Sequence, residues 1–227
     1  NELGTGVNGG VTDIAVIGSD VYVSGYFNNV GHGVAKWNTI TESWSSLGAG
    51  CGPQGAEVLE VVGNDLYVGG SFDSAGYVEN TRYIARWDTL TSTWHALGSG
   101  LSSAADQRVL SLESVGGNLY IGGTFEDAGG IADADNIVRW DGSAWHALGS
   151  GLTTVDEWDT PEVWDMAVVG GNVYAAGNFV DAGGNPVADY IARWDGSSWH
   201  SVGSSIDDTV YALAAVGSEL YAGTRSS

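Results

Sequence analysis

An all-β fold built from repeated four-stranded antiparallel units is what this sequence predicts, and three features predict it. A V/L-Y-x-x-G element recurs at Tyr22, Tyr67, Tyr120, Tyr174 and Tyr221, a period of roughly 50 residues. Two tryptophan series keep step with it: Trp37, Trp87, Trp140 and Trp194, each followed by Asn or Asp, then Trp44, Trp94, Trp145 and Trp199. No stretch carries helical periodicity. Self-similar four-stranded units at this period read as blades of a β-propeller. A sandwich would not require self-similar units.

Within each unit the first strand, A, is apolar: Val11–Ile17, Ala56–Val62, Val109–Val115, Val163–Val169 and Val210–Val216. A tight turn follows, such as Gly63-Asn64-Asp65 or Gly116-Gly117-Asn118, where Gly and Asn tolerate positive φ. Strand B, for example Leu119–Gly122, is β-branched and aromatic. Its glycines predict close approach of a neighbour. Strand C runs Val34–Trp37, Ile84–Trp87, Ile137–Trp140 and Ile191–Trp194, and strand D starts at the second tryptophan. Lys36, Arg86, Arg139 and Arg193 stand two residues before Asn38, Asp88, Asp141 and Asp195. Residues i and i+2 share a strand face, so base–acid pairing within strand C is expected as blade architecture.

The predicted arrangement is a single propeller domain over residues 1–227, with four complete blades at about 11–50, 56–100, 109–151 and 163–204. Residues 210–227 supply only A and B strands of a fifth. Glu2-Leu3-Gly4-Thr5-Gly6 matches the strand D ending Ala147-Leu148-Gly149-Ser150-Gly151. The strand C between them is absent, so either the gene product is longer than this chain or the chain is a contiguous slice of a ring with more than five blades. The favoured expectation is that residues 1–6 close a five-bladed ring by completing the partial blade, since an open edge invites aggregation.

Composition agrees. Glycine is 36 of 227 residues, with only 3 prolines, and glycine is thus more than twice its usual share of about 7%. Ten Trp and ten Tyr supply burial that a disordered chain lacks. The formal net charge is −21, which repels phosphate backbones, so nucleic acid is a poor partner. No apolar run approaches a membrane span of about 20 residues, so no membrane insertion is expected. Cys51 is the only cysteine, which excludes an internal disulfide. The chain starts inside a repeat without an initiator Met and reads as a mature or truncated piece.

The segment Tyr83-Ile84-Ala85-Arg86-Trp87-Asp88 through Trp94 resembles kelch-type propeller repeats, including those of galactose oxidase-like proteins. The full unit L-Y-x-G-G-x-F-x-x-A-G-G…I-A-R-W-D-G-x-x-W is similar to a repeat of bacterial surface and secreted proteins. The resemblance covers essentially the whole chain and implies fold and an extracellular or cell-surface setting. It implies little about activity. The copper-oxidase chemistry of galactose oxidase relatives does not carry over, because its His and Tyr ligands have no match. Asp141-Gly142-Ser143-Ala144-Trp145 faintly resembles the sialidase Asp-box, a structural hairpin, without an arginine triad.

In such a unit the B–C and D–A connections emerge on one face. They are long and variable here: Asn28–Gly33, Asp73–Arg82, Glu126–Asn136 and Val180–Asp189 between B and C, with Cys51–Gly55, Leu101–Arg108 and Leu152–Glu162 between D and A. Variable loops on a rigid scaffold carry function. Candidate ligand-binding residues are Asp127, Asp133, Asp135, Asp181 and Asp189. Asp133-Ala134-Asp135-Asn136 alternates oxygen donors as calcium loops do, making Asp127, Asp133 and Asp135 candidate Ca²⁺ ligands. The D-x-D-x-D-G spacing is not completed, and turn capping explains the same residues.

Asp156, Glu157 and Trp158 combine an aromatic ring with carboxylates, a pairing that suits a sugar. Trp164 and Tyr211 share one register of strand A and are candidate ligand-binding residues that either line the mouth of a central channel or pack between blades. His95, His146 and His200 occupy equivalent positions in separate blades and cannot converge on one metal. The expected function is a non-enzymatic extracellular binding or assembly module for a protein or glycan partner, self-association included. The alternative is a structural subunit of a surface layer, filament or appendage. A third reading is a hydrolase or lyase using channel-mouth carboxylates such as Asp13, Glu60 or Glu113 with Asp165.

Overall fold

The computed structural model describes residues 3–101, 107–154, 160–203 and 206–225. They are all-β, with eighteen strands in five antiparallel sheets and two short 3₁₀ turns. Sheet 1 comprises β1 (Gly10–Ile17), β2 (Asp20–Tyr26), β3 (Val34–Asn38) and β4 (Ser43–Ser46). Sheet 2 comprises β5 (Ala56–Val62), β6 (Asp65–Gly70), β7 (Ile84–Asp88) and β8 (Thr93–His95). Sheet 3 comprises β9 (Val109–Val115), β10 (Asn118–Gly123), β11 (Ile137–Trp140) and β12 (Trp145–Ala147). Sheet 4 comprises β13 (Glu162–Val169), β14 (Asn172–Asn178), β15 (Ile191–Trp194) and β16 (Trp199–Ser201). Sheet 5 has two strands, β17 (Val210–Val216) and β18 (Glu219–Thr224). The chain divides into two compact units, Asn1–Val109 and Leu110–Ser227.

Every four-stranded sheet runs straight up and down, in sequence order. The two tryptophan series are its cross-strand clasp. Trp37 faces Trp44, Trp87 faces Trp94, Trp140 faces Trp145 and Trp194 faces Trp199. Their ring centroids lie 5.3, 5.1, 5.0 and 5.4 Å apart, the separation at which tilted aromatic pairs attract.

The tryptophans also join sheets. Trp94 Nε1 donates to the Leu47 carbonyl (2.9 Å) and Trp199 Nε1 to the Leu148 carbonyl (2.8 Å). In the first unit, Ala15, Ile17, Tyr22 and Val34 of sheet 1 share a core with Leu59, Leu66, Val68, Trp87 and Trp94 of sheet 2. In the second unit, Tyr120 and Ile137 pack with Met166, Val173, Trp194 and Trp199. The expected close approach at strand B is real: a Cβ on Gly122 would lie 2.6 Å from Val163 of the neighbouring sheet.

Two expectations are corrected. The N-terminal segment does not complete a fifth blade. No strand is assigned among residues 3–9, and sheet 5 is β17–β18 alone. A D strand hydrogen-bonds to a C strand, and sheet 5 contains none. Residues 3–8 lie on sheet 1 instead. The Leu3 carbonyl accepts from Trp44 Nε1 (2.9 Å), and Asn8 is tied to Asn28 and Asn29. The strand C bases, too, pair elsewhere. Lys36 bonds Asp20 (2.8 Å), Arg86 bonds Asp65 (2.9 Å), Arg139 bonds Asn118 (2.6 Å) and Arg193 bonds Asn172 (3.0 Å), each at the start of strand B. The acids two residues downstream are engaged in their own turns. Asp141 Oδ1 accepts from the Ser143 and Ala144 backbone N–H groups, and Asp195 Oδ1 from those of Ser197 and Ser198.

Candidate functional site

Strand A carries a register shift at Thr12, Glu57, Trp164 and Tyr211. Such a bulge frees backbone N–H groups, and carboxylates capture them. Asp13 Oδ1 accepts from Ile14 N (2.7 Å), while Oδ2 reaches the next sheet to accept from Leu59 N (2.8 Å). Asp165 repeats the device, accepting from Met166 N (2.8 Å) and Leu213 N (2.7 Å). Burial pushes the Asp165 carboxyl up, against those N–H groups and Ser111. Two of the four carboxylates considered for acid/base work thus stitch neighbouring strands. Cys51 is fully buried, and desolvation raises its thiol far above the reactive range.

The longer B–C loops share one framework. Each opens on a fully buried phenylalanine (Phe72, Phe125, Phe179) and closes on a residue with positive φ (Tyr83, Asn136, Tyr190). The closing N–H bonds the phenylalanine carbonyl at 3.0, 2.8 and 2.8 Å. Inside, Ala75, Ala128 and Ala182 are fully buried. A Cβ on Gly76, Gly129 or Gly183 would strike Trp94, Trp145 or Trp199 at 2.3, 2.4 and 2.6 Å, so glycine is required there. The loops are therefore built alike, and their differences lie in side chains.

The candidate acids mostly serve this framework. Asp135 Oδ1 accepts from the Asp127 backbone N–H (2.7 Å), and Asp189 Oδ1 from that of Asp181 (2.9 Å). Asp127 and Asp181 adopt left-handed φ, 50° and 53°, which Asp tolerates better than most residues. Asp133 is exposed. Among the described residues no three His, Cys, Asp or Glu side chains, Asp127, Asp133 and Asp135 included, form a group that could hold a metal. Asp156, Glu157 and Trp158 lie outside the described residues. Trp164 and Tyr211 do meet, with ring centroids 5.8 Å apart.

The loop Phe72–Tyr83 departs from its two sisters, and it borders a cleft of about 290 Å³. Where the others carry Gly130 and Gly184, it carries Tyr77, with φ 61° and 87% exposed. Where they carry Asp135 and Asp189, it carries Arg82, whose Nη2 lies 3.1 Å from Asp73 Oδ1. Gly50–Gln54 and His32 also line the cleft. Gln54 Nε2 donates to Asp73 Oδ2 (2.9 Å), so both carboxylate oxygens are held. Backbone bonds brace the walls: Cys51 N to the His32 carbonyl (2.7 Å) and Gly76 N to the Gly50 carbonyl (2.8 Å). The sequence marks Asp73–Arg82 as a variable connection but singles out none of His32, Gln54 and Tyr77 as a candidate. Aligning the three loops on their phenylalanines would have exposed Tyr77 as a tyrosine at a glycine position.

No known family profile and no curated protein matches the chain. Many solved structures are similar, and two of them illustrate the likeness. One is the extracellular domain of a putative one-component system from B. thetaiotaomicron, with a TM-score of 0.60 and 11% identity over 94% of this chain and 26% of that one. This chain thus spans about a quarter of that neighbour's length. The other is the computationally designed Ika4 protein, with a TM-score of 0.52 and 12% identity over 84% of this chain and 93% of that one. At such identity the likeness is of fold. Among the described residues no helix is long and apolar enough to cross a membrane.

Proposed function

We propose that this chain is an extracellular, non-enzymatic binding module of kelch-like β-propeller type, holding its ligand on the face formed by the B–C and D–A loops. The observation that carries this reading is the Tyr77 loop. It keeps the framework of its sisters yet places a strained, exposed aromatic beside His32, Gln54 and Asp73. Backbone strain at a solvent-facing side chain favours function over packing. The extracellular setting draws support from the similar extracellular domain and from the acidic composition. A non-catalytic role is consistent with the engagement of Asp13 and Asp165 by backbone N–H groups and with the burial of Cys51. Amide chemical-shift mapping against mixed glycan and peptide fractions tests it. Shifts confined to the B–C and D–A loops, with residues 28–33, 50–55 and 73–82 foremost, support the reading, whereas shifts confined to other parts of the chain, or none, refute it.

A second reading, assembly with further copies, is favoured by one observation. Ile14 and Val16 of β1 are 60% and 59% exposed on one strand face, an apolar surface of the kind that marks association. Sedimentation of an Ile14→Lys, Val16→Lys variant distinguishes it: the wild type alone would self-associate.

A further inference from the structure

We propose that the cleft beside Tyr77 is a subsite for a neutral pyranose unit of a glycan. This rests on the binding-module reading and names its ligand. A pyranose offers one apolar C–H face and an equatorial rim of hydroxyls, so its recognition needs a flat aromatic surface beside planar polar groups. The cleft presents both. Tyr77 is exposed at the rim, in a backbone conformation that its sister loops reserve for glycine. Asp73, Gln54 and His32 line the same cleft.

The polar groups retain capacity for hydroxyls. An ionised carboxylate has about four lone-pair sites. Asp73 receives one bond from Gln54 on Oδ2 and one from Arg82 on Oδ1, which orients it and leaves acceptor sites for vicinal hydroxyls. The Gln54 amide also contributes a carbonyl acceptor, and the His32 ring has two nitrogens. Such mixed donors and acceptors suit hydroxyls, which both give and accept protons in hydrogen bonds.

Charge selects against acidic sugars. The Asp73 carboxylate is balanced locally by Arg82, but the chain carries a formal charge of −21, which disfavours approach of uronates or sulfated glycans. Size agrees as well. A volume of about 290 Å³ corresponds to roughly ten waters at ~30 Å³ each, enough for one ring with its nearest hydration. The walls are pre-braced by Gly76 N to Gly50 O and Cys51 N to His32 O, so little ordering entropy opposes binding.

The test is calorimetric titration with cellotetraose, maltotetraose, mannotetraose and chitotetraose, with tetragalacturonate as the anionic comparison and a random peptide library as the non-sugar comparison. At least one neutral tetrasaccharide is expected to bind. Tyr77→Gly, which installs the residue of the sister loops, should keep the fold and weaken that binding about tenfold, as expected for loss of an aromatic stack. Tyr77→Phe should retain it, and Gln54→Ala should weaken it. Neutral-sugar binding unchanged in Tyr77→Gly would overturn the assignment of the subsite. Peptide-induced shifts in the cleft, with no tetrasaccharide bound, would overturn the glycan inference and leave the binding-module reading standing. Failure of every probe to perturb the loop face would overturn both.

Discussion

Tyr77 and Tyr83 provide a controlled comparison of strain against burial. Both sit in the Phe72–Tyr83 loop with left-handed φ, 61° and 67°, but Tyr77 is 87% exposed and Tyr83 only 2%. Glycine at either position relieves about 1–2 kcal/mol of left-handed strain. What each substitution removes differs. A tyrosine can bury about 150–250 Å², so Tyr77, at 87% exposure, hides about 30 Å². At ~25 cal/mol/Å² that is ~0.7 kcal/mol. Tyr83 hides nearly all of its surface, about 5 kcal/mol on the same scale. Tyr77→Gly should therefore lie between neutral and ~1 kcal/mol stabilising. Tyr83→Gly should cost about 3–4 kcal/mol before any cavity effect. At about 2–4 °C per kcal/mol for a chain of this size, Tm should hold or rise by ~3 °C in the first variant and fall by roughly 10 °C in the second. Thermal and urea unfolding followed by tryptophan fluorescence measure both. A loss above about 1 kcal/mol in Tyr77→Gly would show that the ring is packed against the protein, and the strain argument for a site would collapse. A mild Tyr83→Gly would show that the burial argument is wrong.

Three further outcomes follow from the same geometry. Gly183→Ala and Gly184→Ala both place alanine at positive φ, but a Cβ on Gly183 meets Trp199 at 2.6 Å while one on Gly184 meets nothing within 4 Å. The first should cost about 1–3 kcal/mol more than the second, and equal urea midpoints would refute the close-approach account. Asp13→Ala leaves Leu59 N without its carboxylate acceptor. A loss of about 1.5–3 kcal/mol should appear as faster hydrogen exchange at the Leu59 amide, and unchanged protection would show that the bridge is dispensable. Asp141 and Asp195 are held well below the carboxylate value of 3.8 by His146 and His200, with Ser143 and Ser197 assisting. A depressed folded-state pKa contributes stability above the unfolded value and loses it as pH falls. Hence Asp141→Asn with Asp195→Asn should flatten the acid limb of the unfolding midpoint below pH 3.8, and an unaltered slope would contradict the pairing.

The candidate site was only half legible in advance. The proposed face follows from the sequence, because long connections between B and C and between D and A stand out against uniform turns. Its acids admitted two readings, ligation and turn capping. Asp135 and Asp189 each bond a backbone N–H within their own loop. Composition and spacing fit both readings, and only the folded loop shows which N–H each carboxylate faces. Trp164 and Tyr211 were grouped correctly, because a shared register in neighbouring strands places equivalent residues side by side. Arg86 shows the opposite failure. Its strand neighbour Asp88 shares its face, but the Asp88 carboxylate accepts from the Leu90 and Thr91 N–H groups, so the guanidinium turns to Asp65 across the ladder.

The strand positions, the antiparallel order within each sheet and the in-register recurrence of the two tryptophan series were determined by sequence alone. They depend on local alternation, turn chemistry and a repeat period, all of which are written along the chain. Tertiary structure alone decided three things. It set the N-terminal segment on sheet 1, where Leu3 meets Trp44. It turned Asp13 and Asp165 into bridges between strands of different sheets. It gathered His32, Gln54, Asp73 and Tyr77 around one cleft. Each depends on which groups from distant segments come within a few ångströms, a distance set by sheet packing and recorded in no stretch of sequence.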